Sequence, residues 1–103
     1  MTVREIKMFV NGIDPGAKHY YTTLDGNAYT VWAETERTGL AANNTLAEMS
    51  WKFRIIRYTQ SEFDAMAEAI EEVLLEHPVI SYSYSVDTDP TTGYILHTFE
   101  CEA

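Results

Sequence analysis

The chain has 103 residues, with seven Lys/Arg against 16 Asp/Glu and a formal net charge of −9. A surface of that sign excludes the phosphate backbone of nucleic acid as a direct partner, because phosphate binding needs clustered bases. One domain spanning 1–103 is expected, since a chain of this length buries roughly 60–65% of its unfolded surface in a single core. The charge is also segregated. Every Lys and Arg lies at or before Arg57, where the sequence is near neutral, and the 46 residues beyond carry ten carboxylates and no base. With 46% hydrophobic and 13% aromatic residues, the acidic half is too apolar to be a disordered tail. No stretch approaches the roughly 20 apolar residues of a membrane span and the first residues lack a signal-peptide run, so an intracellular protein with no membrane partner is expected. Cys101 is the single cysteine, which leaves no internal disulfide and no thiolate metal cluster.

The first element reads as a short helix. Val3, Ile6, Phe9, Val10 and Ile13 share one stripe, Thr2 and Glu5 form a capping-box pattern, and the helix is expected to stop near Asn11-Gly12 before a turn at Asp14-Pro15-Gly16. Residues 18–35 read as a β-hairpin, two alternating runs around Asp25-Gly26, a pair suited to a tight primed turn. The segment from Glu36 to Met49 is long for a connection and carries Leu40, Leu46 and Met49 without a clean period. It is either a surface loop or an arm that orders against a neighbouring subunit. Ser50 to Tyr58 reads as a strand with Trp51, Phe53 and Ile55 on one side and Lys52 and Arg54 on the other, a natural electrostatic partner for the acidic half.

A second helix is predicted over Ser61 to His77, with an apolar stripe of Phe63, Met66, Ala67, Ile70, Val73, Leu74 and His77. Thr59 with Glu62, or Ser61 with Asp64, can cap it, and Pro78 ends it. Its other face holds Asp64, Glu68, Glu71 and Glu72 with Leu75 among them. That face is either solvated surface or the charged rim of a protein contact. Val79 to Val86 alternates Ile80, Tyr82, Tyr84 and Val86 against three serines, as a half-buried strand does. Asp87 to Gly93 is a turn, and Tyr94 to Cys101 is a final antiparallel strand. The order α-β-β-β-α-β-β predicts an α+β fold with two helices packed on a mostly antiparallel sheet of about five strands.

Catalytic chemistry finds no foothold in these residues. Asp87-Thr-Asp89-Pro-Thr-Thr-Gly93 superficially resembles a calcium loop, but its glycine is seventh and Thr98 occupies the place of the bidentate glutamate, so a polar turn is the expectation and no metal or cofactor is implied. His97 and Cys101 share one side of the last strand at about 13 Å, too far apart for a histidine to activate a thiol. No Ser/His/Asp set or phosphate loop can be assembled, and the protein is not expected to be an enzyme.

The C-terminal block from Tyr82 through Asp87, Asp89, Gly93-Tyr94 and His97 to Glu102 resembles the ending of small tail proteins of long-tailed bacteriophages and prophages, in which the last two strands meet at an acidic Thr-Gly-aromatic turn. The element order is similar to that of the tail-terminator family. The resemblance implies a structural subunit of a homo-oligomeric ring, such as a hexamer, that caps the tail tube and meets head-tail connector proteins. It would reside in the virion tail and, during assembly, in the bacterial cytoplasm. In such a ring a negative lining would keep passing DNA from sticking. The interface candidates on this reading are Leu40, Leu46, Met49, Asp64, Glu68, Glu71, Leu75, Asp87 and Asp89. Two other classes remain open: an acidic inhibitor that imitates DNA before a host nucleic-acid enzyme, and a small ligand-binding domain whose pocket is lined by Tyr20, Tyr29, Trp32, Tyr82 and Tyr84.

Overall fold

A computed structural model of the chain describes residues 1–20, 27–38 and 50–103. Seven elements follow in order: α1 (Val3–Ile13), β1 (Lys18–His19), β2 (Ala28–Thr38), β3 (Ser50–Thr59), α2 (Ala65–Glu76), β4 (Ser81–Thr88) and β5 (Ile95–Glu102). They build an α+β fold in which the five strands form one sheet, ordered β1-β2-β3-β5-β4. The connected pairs β2/β3, β3/β5 and β4/β5 are antiparallel. Leu40, Leu46, Met49 and the Asp25-Gly26 turn lie outside the described residues.

Strand register fixes which side chains face the helices. Trp32 pairs with Ile55, Ile55 with Phe99 and Phe99 with Tyr84, so these four project from one side of the sheet. Onto that side pack Ile6 and Val10 of α1 and Ile70 and Leu74 of α2, making one core cluster in which Ile6, Phe53, Ile55 and Phe99 have no exposed surface. Phe9 of α1 meets the ring of His77 edge-on at 5.3 Å, which ties the two helices together. Among the described residues, no helix packs on the opposite side of the sheet.

Both helix starts are chemically specified. The α1 capping box forms as its spacing predicts: Thr2 Oγ1 accepts from the Glu5 amide at 3.2 Å, and Glu5 accepts from the Thr2 amide at 3.0 Å. The second helix begins later than its apolar stripe predicts. Asp64 is the N-cap, its carboxylate accepting from the Ala67 amide at 2.9 Å, and Thr59 instead closes a local turn with the Ser61 amide at 3.1 Å. Phe63, assigned to the stripe, therefore precedes the helix and is 80% exposed.

The hairpin expected over 18–35 is corrected. β1 runs parallel to β2, with Lys18 opposite Val31 and His19 opposite Trp32. Alternation reveals that a segment is extended but not which way it runs past its neighbour. The direction here is held by side chains: the His19 ring stacks on Trp32 at 3.8 Å and on Tyr20 at 3.7 Å, and its Nε2 meets Glu34 at 2.9 Å. Tyr20 then leaves the strand at φ 71°, while its amide donates to the Trp32 carbonyl at 2.7 Å.

Candidate functional site

Three of the seven bases lie on β3, and all three are paired. Lys52 lies 3.7 Å from Glu36, and Arg54 donates to Glu100 at 2.5 Å, both on exposed surface. Arg57 is mostly buried and reaches Asp64 at 2.9 Å, Asp14 at 3.6 Å and the Thr30 hydroxyl at 3.1 Å. The β3 strand therefore acts as an internal counterweight to part of the acidic half.

Asp64 is the clearest correction among the predicted contact residues. Expected on the outward acidic face, its side chain is only 11% exposed and is consumed by Arg57 and by the cap of α2. Burial raises its carboxyl pKa, but the Arg57 and Ala67 hydrogen bonds and the nearby positive charge outweigh that and hold it below the usual value. The reason it misled is that an N-cap position lies at the helix boundary, where the periodic stripe no longer dictates direction.

The remaining acidic candidates divide into two groups. Glu68 is exposed and Glu71 half-buried on α2, where Glu71 accepts from the Tyr82 hydroxyl at 3.5 Å. Leu75 on the same helix is 72% exposed. A shallow cavity of about 210 Å³ separates Glu68 and Glu71 from Tyr84 and His97 beneath them. Asp87 and Asp89 stand elsewhere, beside a second depression of about 340 Å³ whose walls are Tyr29, Tyr58 and Tyr94.

Asp87 belongs to β4 rather than to the turn, which occupies residues 89–94. There Asp89 accepts from the Thr91 amide at 3.0 Å, and its main chain closes the loop with Gly93 and Tyr94. Hydrogen bonds from Thr92 and Thr91 keep the Asp89 carboxyl below its ordinary pKa. Gly93 sits at φ +78°, the left-handed conformation that a residue without Cβ adopts at no steric cost. Among the described residues, no group of three His, Cys, Asp or Glu could hold a metal ion.

His97 and Cys101 do face the helix side together, with Phe99 between them, all three buried. Burial pushes the Cys101 thiol up to about 12, and its Sγ contacts the Phe99 carbonyl at 3.7 Å. His97 Nδ1 meets the Tyr84 hydroxyl at 2.5 Å, while Nε2 is buried without a hydrogen-bond partner among the described residues. The residues proposed to line a ligand pocket do not converge. Tyr29 lies on the helix-free side, Trp32 under the helices, Tyr82 and Tyr84 on β4, and Tyr20 beyond the end of β1.

The feature that alternation did not reveal is the β4 edge. Tyr84 and Val86, expected to point into a half-buried face, are 39% and 51% exposed, because β4 is the outermost strand and all but one of its eight residues are exposed. The signal that could have found this is the strand composition. Three serines alternating with two tyrosines and a valine bury little, and only a strand with one free side tolerates that. No protein-family model matches the chain, and no curated protein matches its sequence.

Proposed function

We propose that this chain is a structural subunit of a bacteriophage or prophage tail, of the tail-terminator kind, that works by assembling with itself into a ring and by docking on tail-tube and head-tail connector proteins. The observation that carries the reading is the outer edge of β4. Among the described residues no strand pairs with the outer side of β4, and an eight-residue edge of this kind offers a row of main-chain N–H and C=O groups. Edges of this length are ordinarily blunted by lysine, proline or a bulge, and Ser81–Thr88 contains neither residue and pairs with β5 in unbroken register. Exposed Tyr84 and Val86 supply apolar contact beside it, and the Asp87 and Asp89 carboxylates give the tip of the hairpin its charge.

Strand addition at such an edge uses main-chain hydrogen bonds for affinity and alternate side chains for specificity. Among the described residues the opposite edge of the sheet is the two-residue β1, so the two ends of the sheet are unlike, and a contact of the β4 edge with any other part of a neighbouring copy joins unlike surfaces. Contacts of that type close into rings or run on as filaments. Native mass spectrometry together with negative-stain imaging tests the reading. A discrete closed ring is the expected result, and a strict monomer at high protein concentration overturns it.

A further inference from the structure

The two helices lie side by side on one face of the sheet, and their outward surfaces carry opposite charge. In α1 the buried residues Ile6 and Val10 turn Arg4, Lys7 and Met8 away from the sheet, and all three are exposed, Met8 by 75%. In α2 the buried residues Ala67, Ile70 and Leu74 leave Glu68, Glu72 and Glu76 exposed, with Leu75 among them at 72%. On α1 Met8 thus stands beside two bases and the exposed Glu5 carboxylate, a net positive surface, and on α2 Leu75 stands among three carboxylates with Val73 part-exposed nearby.

Among the described residues, none of these bases or α2 carboxylates forms an ion pair, whereas Lys52, Arg54 and Arg57 each pair with a carboxylate. Glu5, the one acid on α1, is hydrogen-bonded into the capping box with Thr2 and remains an exposed carboxylate, so the two bases leave that helix net positive by one.

We infer that a second copy of this chain covers the helix layer, in a two-fold dimer that lays α1 of each copy over α2 of the other. Rotation about an axis running between the helices makes both contacts at once: Met8 with Arg4 and Lys7 on one side, Leu75 with Glu68, Glu72 and Glu76 on the other. A two-fold contact is self-complementary, with each patch meeting its counterpart twice. The charge pattern also rejects the alternative in which α2 faces α2, since like charges would then oppose each other. This surface is separate from the β4 edge, and the inference holds whether or not the chain is a tail subunit.

Sedimentation velocity on the full chain reads the result, at about 20 mM and about 500 mM NaCl, where screening of exposed charges differs strongly. The wild type is expected to show a dimer step whose dissociation constant rises about tenfold between the two salts, the order expected of several exposed pairs together. R4E/K7E and E68K/E72K are each expected to be monomeric at this step. An equimolar mixture of the two variants restores a 1:1 heterodimer, because every helix then meets a helix of opposite sign. The mixing result also establishes that both variants are folded. A dimer step unchanged by either variant, or a mixture that stays monomeric, overturns the inference. Ring formation that persists in these variants leaves the β4 reading standing, and a wild-type dimer without a ring removes that reading alone.

Discussion

Arg57 holds together three parts of the chain that are distant in sequence. Its guanidinium joins the loop after α1 through Asp14, strand β2 through Thr30 and the start of α2 through Asp64. At 12% side-chain exposure it is removed from water, and a charge so placed needs its partners. Replacing it strands two carboxylates that have little access to solvent. Arg57→Met is therefore expected to lower the unfolding free energy by about 3 kcal/mol, read as a lower midpoint in a urea titration. Arg57→Lys should recover only part of the loss, since an ammonium cannot reproduce the planar fork. Cys101 is the opposite case, a residue whose surroundings silence it. With its pKa at about 12 and its side chain buried, the thiol is almost wholly protonated at pH 8, where the thiolate would be the reactive form. Labelling by a disulfide reagent should be slow in the native protein and should accelerate in step with unfolding as urea is added; rapid native-state labelling would contradict this.

At the scale of elements, β4 has a sharp consequence. Val86 is half exposed on an edge strand and opposes His97 across the sheet. A lysine there costs the fold little, because its head can reach water, yet it places a charge where a neighbouring strand would pair. Val86→Lys is expected to leave the thermal midpoint within a few degrees of wild type while abolishing ring assembly in native mass spectra; an intact ring would move the contact elsewhere. The elements themselves were largely legible in the sequence. The Thr2/Glu5 box, the Phe53/Ile55 alternation and the Ile70/Leu74 spacing are local patterns that local physics enforces. What escaped were relations between elements. The parallel course of β1 goes with His19 stacking against Trp32, and the inward role of Asp64 depends on a cation seven residues earlier, on β3. The exposure of Tyr84 depends on which strand ends up outermost, a property of the sheet and not of Ser81–Thr88.

The whole molecule is strongly acidic, so its behaviour toward pH follows from which carboxylates the fold favours as anions. Asp64 is held below its ordinary pKa by Arg57 and the cap of α2. A group depressed in this way contributes stability above its unfolded pKa, near 3.9, and the contribution disappears as pH falls through the folded value. Stability should thus hold through neutral pH and drop below about pH 4. Asp64→Asn is expected to be less stable than wild type at pH 7, with a shallower decline in acid, so that the two curves converge. Parallel curves from pH 7 down to pH 3 would show that Asp64 has no part in the acid transition.

The position of β5 bears on how the molecule is made. This strand is last in the chain order yet lies between β3 and β4, and the main chain at Ala103 still exchanges hydrogen bonds with Trp51 at 2.9 and 3.0 Å. A chain folded only as far as Thr88 has β4 but no strand for it to pair with. Its tyrosines and valine must wait, while the core lacks Phe99 and Cys101. The β3/β5 contacts that complete the sheet are long-range and form together with the β4/β5 ladder, when β5 docks between its two neighbours. Loss of Ile95–Glu102 would thus remove two ladders at once, leaving β3 and β4 each with a bare edge where the sheet now has its centre.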